Sequence, residues 1–299
     1  MLNRFRGLHR GFHIIIAMSL LGATLGFDAP HSFGSDFQSP RTAALGGAGH
    51  AGPLLNDSIY LNPSYSAFLP TYAVSANYAW ANYQDGSYKY KIQNLSVQDG
   101  RSDLFQAGIA YTRRDDGSFV HLGTGKSLIA QRLGVGLGGK AFFPASTSST
   151  SNNPHVFDSV FSATGVVTPW IQTSFIIDNL LETNTGKQYG LFREFILGSK
   201  FNVEKILIAY IDPHYTPDLT SYSKFGYESG VEWPLFTDFY LRGGLFHSAN
   251  IPTLAGARGN GFGVGFGMLA PKASLDYGMS RVLQPIVGTV QVIGFTVFM

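Results

Sequence analysis

The chain has 299 residues, of which 13% are charged, 14% are aromatic and 36 are glycine. Soluble domains carry about 25% charged residues, so this composition excludes an ordinary soluble surface. Without cysteine, disulfides and thiolate metal sites are excluded as well. The net charge of +2 rests on three arginines near the N-terminus; without them 18 cations face 19 acids. The sequence therefore offers no basic surface for nucleic acid.

Residues 1–26 are predicted to form a cleavable signal peptide. Arg4, Arg6 and Arg10 precede the apolar run Ile14–Leu21, and the small residues of Gly22–Gly26 follow it. The alternative is a single membrane anchor, but the apolar run falls short of the ~20 residues that a spanning helix needs. We expect cleavage after Gly26.

Residues 27–70 lack a strand period and are rich in Gly, Ser, Pro and Asn, which predicts a compact, irregular segment. From Thr71 to Met299 apolar and polar residues alternate, as in strands with one apolar face. This change marks the boundary between an N-terminal hatch and a barrel of residues 71–299. Fourteen strands are predicted, near residues 71–83, 87–95, 103–113, 118–130, 133–143, 157–167, 170–180, 188–200, 204–211, 221–233, 237–247, 258–268, 272–280 and 286–298.

The connections between these strands alternate in length. Those after strands five, seven, nine, eleven and thirteen are predicted to be long, as in residues 144–156 and 248–257, and those after strands four, six, eight, ten and twelve to be short. Short turns at one end and long loops at the other are typical of an outer-membrane barrel with both termini in the periplasm. Closure is required because hydrocarbon leaves no partner for an open sheet edge. The fold class is therefore an all-β, transmembrane antiparallel barrel.

Aromatic residues lie near the predicted strand ends, namely Tyr72, Trp80, Trp170 and Trp233. Interface girdles place aromatics in this way. The alternative, that they are ordinary strand aromatics, stays open for each of them.

Two features concern the inside of the barrel. Glycine occupies every second position from Gly259 to Gly267, which predicts either a lumen widened for a plug or a cargo molecule, or tight strand curvature alone. If a turn at residues 234–236 joins strands ten and eleven, Glu228 faces Arg242 across the ladder. We interpret this pair as a structural brace of the lumen; an ion-selective constriction is the alternative.

Catalytic, cofactor and metal motifs are weak. Residues 123–127 read GTGKS, but the leading glycine of a phosphate-binding loop and the helix after it are missing. The eight histidines include no pair spaced for zinc. A lipase would rely on His121 or His247 beside a serine, which the sequence barely supports. No cofactor, metal or catalytic residue is predicted.

The N-terminal segment resembles a known family. Residues 41–49 read RTAALGGAG and residues 56–63 read NDSIYLNP. Together they are similar to the opening of the FadL-like outer-membrane barrels, which include long-chain fatty-acid transporters and barrels associated with type IX secretion and spirochaete outer membranes. Residues 227–232 and 241–244 are loosely similar as well.

This resemblance implies a fourteen-stranded barrel with the hatch folded into its lumen. It also implies passive transport of hydrophobic small molecules such as fatty acids, which leave through a gap in the wall. The alternative is a non-transporting barrel that docks envelope or secretion proteins. Expected partners are outer-membrane lipid, the barrel-assembly machinery of a Gram-negative-type bacterium and a hydrophobic small molecule. The candidate hatch or substrate-binding residues are Leu45, Gly46, Gly47, Asn62, Pro63, Phe68 and Gly108.

Overall fold

The computed structural model describes residues 37–83, 89–102, 104–115, 117–145, 155–204, 206–251 and 254–299. The predicted signal peptide, residues 1–26, lies outside these ranges. Within them, no helix has the length and apolar character needed to cross a bilayer.

Residues 37–70, here called the plug, fold into short helical turns. Helix α1 (Pro40–Ala44) begins after Ser39, whose hydroxyl accepts a hydrogen bond from the Thr42 amide, and Pro40 occupies its first turn. A 3-10 turn (Leu55–Asp57), helix α2 (Ser58–Leu61) and a second 3-10 turn (Pro63–Phe68) follow. The segment that was predicted to be irregular thus consists of consecutive short helical turns.

The remainder forms a closed, fourteen-stranded antiparallel barrel, as the alternation predicted. Strand β14 pairs with β1 from Ala73↔Phe298 to Tyr83↔Gly288, which closes the cylinder. The strands are β1 (Tyr72–Tyr83), β2 (Lys89–Asp99), β3 (Gln106–Arg114), β4 (Gly117–Ile129), β5 (Leu133–Pro144), β6 (Val156–Thr168), β7 (Ile171–Asp178), β8 (Glu194–Val203), β9 (Leu207–Tyr215), β10 (Phe225–Pro234), β11 (Phe239–Ile251), β12 (Leu254–Ala270), β13 (Ala273–Gln284) and β14 (Gly288–Phe298).

Both chain ends of the barrel lie at one rim, called here the terminal rim, and the opposite rim is the loop rim. At the loop rim, long connections follow β5, β7 and β9, and the second contains helix α3 (Asn184–Gln188). The long loop predicted for residues 248–257 is wrong, because β11 continues to Ile251 and β12 begins at Leu254. Irregular register after Phe246 and Asn250 accommodates this extension, and Ile251 is buried in it. The connection after β13 is also short, at residues 285–287.

The two faces of the wall differ in chemistry. Outward positions carry large apolar side chains that remain exposed, including Leu95, Ile109, Leu122, Leu137, Phe157, Phe175, Leu197, Ile211, Leu245, Val264 and Phe295. Monomeric soluble proteins rarely expose a contiguous apolar surface of this extent. Inward positions carry glycines, small polar residues and buried charges.

The plug fills part of the lumen and supplies much of its core. Phe37, Ala43, Ile59 and Tyr60 pack against buried alanines and valines of β1, β3 and β14, including Val292. Helix α1 packs against β12, β13 and β14, and the second 3-10 turn packs against β4, β5 and β6. The core therefore lies between plug and wall rather than within either one.

Candidate ligand-binding lumen

Glycines of the wall let the plug backbone approach it. A Cβ atom added at Gly263 would lie 2.1 Å from the carbonyl oxygen of Ala43, and one at Gly244 would lie 2.1 Å from Leu45. At Gly265 the same atom would be 2.6 Å from the Ala44 side chain. The glycine stripe of β12 thus faces inward, and its central members seat helix α1, which is the close approach that the stripe predicts.

A buried ion-pair network joins the plug to β10, β11 and β13. Glu232 accepts from Arg41 Nε at 3.1 Å and from Arg242 Nε at 2.6 Å. Arg242 Nη1 reaches Asp276 at 2.6 Å, and Arg41 Nη2 donates to the Tyr210 hydroxyl at 2.7 Å. Arg41 and Glu232, at the centre of this network, are only 3% and 2% exposed. Buried charges must be paired, so removal of one member of the network lowers the free energy of unfolding.

The predicted Glu228–Arg242 pair is wrong. The ladder places Glu228 opposite Phe246 and Arg242 opposite Glu232. The prediction assumed a turn at residues 234–236, whereas Pro234 pairs with Tyr240 and the connection is longer. The resulting register shift is four residues, and since an even shift preserves the face of every side chain, both residues still point into the lumen.

Glu228 instead belongs to a second cluster with His50 and Asp212. His50 Nδ1 lies 2.9 Å from Asp212 and 3.7 Å from Glu228. Burial by itself lowers the pKa of His50, but the hydrogen bond and the charge of Asp212 outweigh burial and raise that pKa to about 9. His50 is therefore a buried imidazolium held by wall carboxylates at neutral pH.

These three side chains also bring ligand atoms within 4.8 Å of one another, the spacing of a metal site. Asp212 Oδ2, however, already accepts three bonds, from the Gly49 amide (2.7 Å), the His50 amide (2.9 Å) and His50 Nδ1 (2.9 Å). Three N–H groups directed at one oxygen leave it poorly placed for a cation. The geometry fits an ion pair better than a metal centre.

A third cluster lies toward the loop rim. Arg258 Nη2 pairs with Glu194 at 2.7 Å and also donates to the Thr216 hydroxyl. His214 Nδ1 contacts the same carboxylate, and Asn250 Nδ2 donates to its other oxygen at 2.8 Å. These contacts join β8, β9, β11 and β12 on the loop-rim side of the plug.

Asn62 is a polar hub between the plug and the wall. Its Nδ2 contacts the His50 carbonyl (2.7 Å), Thr164 Oγ1 (2.8 Å) and Ser174 Oγ (3.0 Å). Its Oδ1 accepts from Ser64 Oγ at 2.6 Å, and the side chain has no solvent exposure. Asn62 therefore fixes the plug to β6 and β7.

The remaining predicted hatch residues pack the plug rather than line open space. Leu45 is fully buried against Ala48 and Tyr210, and Gly46 and Gly47 adopt positive φ angles of 67° and 95° beside the wall. Two others of the plug meet the wall closely, since Pro63 packs beside Gly136 and Phe68 beside Gly134. Gly108 belongs to the wall, on β3, and packs beside Ile59 of the plug. Gly47 borders a cavity of about 80 Å³.

The main internal cavity, about 360 Å³, lies at the terminal rim between plug and wall. Its apolar lining includes Leu54, Ile208, Met268 and Phe298. Arg41, Arg242, Glu232 and Asp276 form its charged side and are paired with one another, as described above. None of the predicted hatch residues lines it, and of the predicted lumen pair Arg242 does. Sequence reasoning missed Arg41 as a functional residue, although no other Lys, Arg, Asp or Glu occurs between Phe37 and Leu55.

Asp57 borders the same cavity and accepts a hydrogen bond from Ser39 Oγ at 3.0 Å. Burial raises the pKa of its carboxyl group to about 6. At neutral pH this carboxyl group is thus mostly ionised but close to its titration range, and it adds negative charge to a cavity whose other four charges are paired.

The resemblance implies a gap in the wall, and the described strands form a closed ladder. Pairing is interrupted between β8 and β9, where it skips from Ile196↔His214 to Ser199↔Ile211. Pro213 lies in the interval and has no N–H to donate. The Asp212 side chain accepts the Ser199 amide at 3.2 Å and keeps the strands together.

The histidines considered for a lipase lie on opposite faces of the wall. His121 is buried in the lumen against Tyr60 and Phe119. His247 stacks on Tyr227, which is exposed on the outer face. No common site can include both residues.

No family profile and no curated protein matches the sequence. Solved structures do match. The Ralstonia pickettii toluene transporter TbuX shares 11% identity at a TM-score of 0.65, covering 87% of this chain and 98% of its own. The Pseudomonas putida toluene transporter TodX shares 10% at 0.60, covering 89% and 98%. A Pseudomonas aeruginosa FadL homologue shares 11% at 0.59, covering 89% and 99%. The chain has the FadL-like barrel fold, as the sequence resemblance predicted.

Proposed function

We propose that this FadL-like barrel lies in the outer membrane of a Gram-negative-type bacterium and passively transports hydrophobic small molecules. The observation that carries the proposal is the cavity of about 360 Å³ enclosed between plug and wall at the terminal rim. Ligand sites are concave and mostly apolar, with a few fixed polar groups, and this cavity has those properties.

The outer surface supports the membrane location. The exposed apolar belt suits lipid hydrocarbon, and Trp170 and Trp233 lie exposed near the terminal rim, where an interface girdle would be. In barrels of this kind the terminal rim faces the periplasm. The cavity would then deliver its contents toward the periplasmic side. Insertion by the barrel-assembly machinery is part of the same proposal.

The charges of the cavity favour an uncharged cargo. Its two arginines are paired with Glu232 and Asp276, so a carboxylate ligand would have to compete with these two acids for their charge. A fatty acid would add a further carboxylate to a lining that already holds Asp57, Glu232 and Asp276, and burying a charge without a counter-charge of its own is costly. TbuX and TodX are toluene transporters, and apolar cavities of roughly 150 Å³ hold benzene. We therefore favour a neutral hydrocarbon over a fatty acid.

A non-transporting barrel for docking envelope proteins is the second candidate. It is supported by the firm attachment of the plug, which bonds to the wall through Arg41, His50 and Asn62 on different strands. A plug fixed in this way suits a purely structural role. The two candidates differ in whether the cavity takes up a ligand.

Toluene binding to the detergent-solubilised protein tests the proposal. Ser274→Phe fills the cavity and is expected to weaken binding about tenfold or more, because the ring occupies the ligand's volume. Ser229→Phe places the same ring on the outer face and is the matched control. Absence of toluene binding by the unaltered protein contradicts the proposal, as does free passage of small sugars in a liposome-swelling assay.

A further inference from the structure

Charged residues on the outer face of the barrel are confined to a few strands. Across β5 to β11 the outward positions include no Lys, Arg, Asp or Glu among the described residues. Lys91 on β2, Arg113 on β3 and Arg281 on β13 point outward in the loop-rim half of the wall. A one-sided group of cations in an apolar belt requires a specific explanation, since charge on a lipid-facing surface is costly away from the interface.

The strand register places these cations together. Arg113 is opposite Gln93, and Lys91 is two residues along β2 from Gln93, so the two cations are diagonal neighbours with Cα atoms about 7–8 Å apart. Arg281 pairs with Thr289, which pairs with Asn82 on β1. From β13 to β2 is three strand spacings, about 14 Å. We call Lys91, Arg113, Arg281 and the outward polar residues between them, Asn82, Gln93, Thr289 and Gln291, the cationic patch.

No carboxylate in the described part of the chain neutralises the cations of the patch. Among the described residues, no carboxylate lies within ion-pair distance of the side chains of Lys91, Arg113 or Arg281. Asp115 is the nearby described acid, and its Oδ2 accepts the backbone N–H of Lys91 at 3.2 Å. One acid against three cations leaves the patch with a positive charge.

A groove of about 560 Å³ adjoins the patch on the outer face. Gln93 and Arg113 form its polar edge. Tyr78, Leu95, Ile293 and Phe295 form its apolar floor, which extends away from the loop rim. Cations at the loop-rim end of an apolar groove are complementary to a lipid with an anionic headgroup and acyl chains.

We propose that the cationic patch binds lipid A, the phosphorylated glycolipid of the outer leaflet, with its phosphates on Arg113, Lys91 and Arg281 and an acyl chain in the groove. Arginine and lysine form strong charge-assisted hydrogen bonds to phosphate. Lipid A carries two phosphates at opposite ends of a disaccharide, which suits cations on both sides of a patch about 14 Å wide. The single phosphate of a phospholipid cannot reach both sides. The proposal rests on the outer-membrane location proposed above.

The test is a titration of lipid A into the detergent-solubilised protein, read by native mass spectrometry. The variant K91Q/R113Q/R281Q is expected to bind on the order of 100-fold more weakly, because three phosphate contacts are lost. The control K224Q/R132Q/K272Q removes three positive charges outside the patch and is expected to bind like the unaltered protein. Heat-modifiable migration in gels shows whether each variant remains a folded barrel.

Three outcomes would overturn the proposal: equal binding by the patch variant, equal binding of dephosphorylated lipid A, or equal binding of phosphatidylglycerol. Toluene binding is measured on the same samples. Since the patch lies outside the barrel, its variants are expected to retain toluene binding. Failure of lipid binding can therefore be distinguished from failure of the transport proposal.

Discussion

Gly263 of the wall lies directly beneath the carbonyl oxygen of Ala43 of the plug, where an added Cβ atom would be 2.1 Å away. Gly263→Ala is therefore predicted to push helix α1 from its seat and to lower the free energy of unfolding by about 1–3 kcal/mol. Denaturant titration of the refolded barrel measures this. Gly243→Ala is the control, because the added Cβ atom there meets nothing within 4 Å. Equal effects of the two substitutions would contradict the packing assigned to the plug.

Glu232 is shared by two buried arginines, so Glu232→Gln leaves both without their common counter-charge. We expect a loss of about 3–5 kcal/mol in unfolding free energy, typical of a broken buried ion pair. The control Asp99→Asn breaks the exposed Arg101–Asp99 pair and is expected to leave stability unchanged. A stable Glu232→Gln barrel would show that the network is dispensable.

The raised pKa of His50 predicts a pH dependence. Its protonation stabilises the folded protein fully below the ordinary pKa of 6.5, and this contribution is lost as pH rises through the folded value of about 9. The difference in unfolding free energy between the protein and its His50→Gln variant should therefore shrink by about 3 kcal/mol between pH 6.5 and pH 10. The charges facing His50 are Asp212 and Glu228. A difference that stays constant with pH would contradict the ion pair.

Asn62→Asp replaces a donor by an acceptor beside the His50 carbonyl without a change in size. The variant should be less stable by about 1–3 kcal/mol at neutral pH, because the Nδ2 contacts are lost inside a buried site. Acidic pH should restore part of the loss, since a protonated carboxyl group can donate once more. Gln131→Glu, in the exposed turn between β4 and β5, is the control. The same denaturant titration at two pH values gives the comparison.

The three tryptophans provide a test of the membrane position. Trp80 points outward on β1, and Trp170 and Trp233 are 56% and 46% exposed. In bilayers containing brominated lipid, quenching of their fluorescence should be stronger with bromine near the headgroup than with bromine at the chain ends. Single Trp→Phe variants assign the signal to each residue. Quenching by aqueous iodide alone, with no effect of bromine, would show that the belt does not meet lipid.

The strand number could be predicted because period-2 alternation depends on local sequence. The register of β10 and β11 could not, since Pro234, which suggested a turn at residues 234–236, pairs with Tyr240 and the turn lies beyond it. Glu228 and Arg242 were therefore placed on the correct face and paired wrongly. Residues 248–257 were predicted as a loop partly because Ser248 and Asn250 are polar, and in the structure both side chains form hydrogen bonds within the protein.

The internal site was harder to predict than the fold. The glycine stripe of β12 and the motif at residues 41–49 both indicated contact between hatch and wall. The partners of Arg41 and His50, in contrast, lie 191 and 162 residues away in the chain. Contacts of this separation follow from barrel closure and leave no local pattern.

The ion pairs between plug and wall determine what an empty barrel would be. Asp212 and Glu232 obtain cations from His50 and Arg41 of the plug, and Glu228 lies beside the same His50. A barrel that lost residues 37–70 would keep all three carboxylates and lose both of those cations. Its lumen would be hydrated and negatively charged rather than apolar. Such a lumen favours potassium or sodium over chloride. Besides filling part of the lumen, the plug therefore balances the charge of the wall that surrounds it.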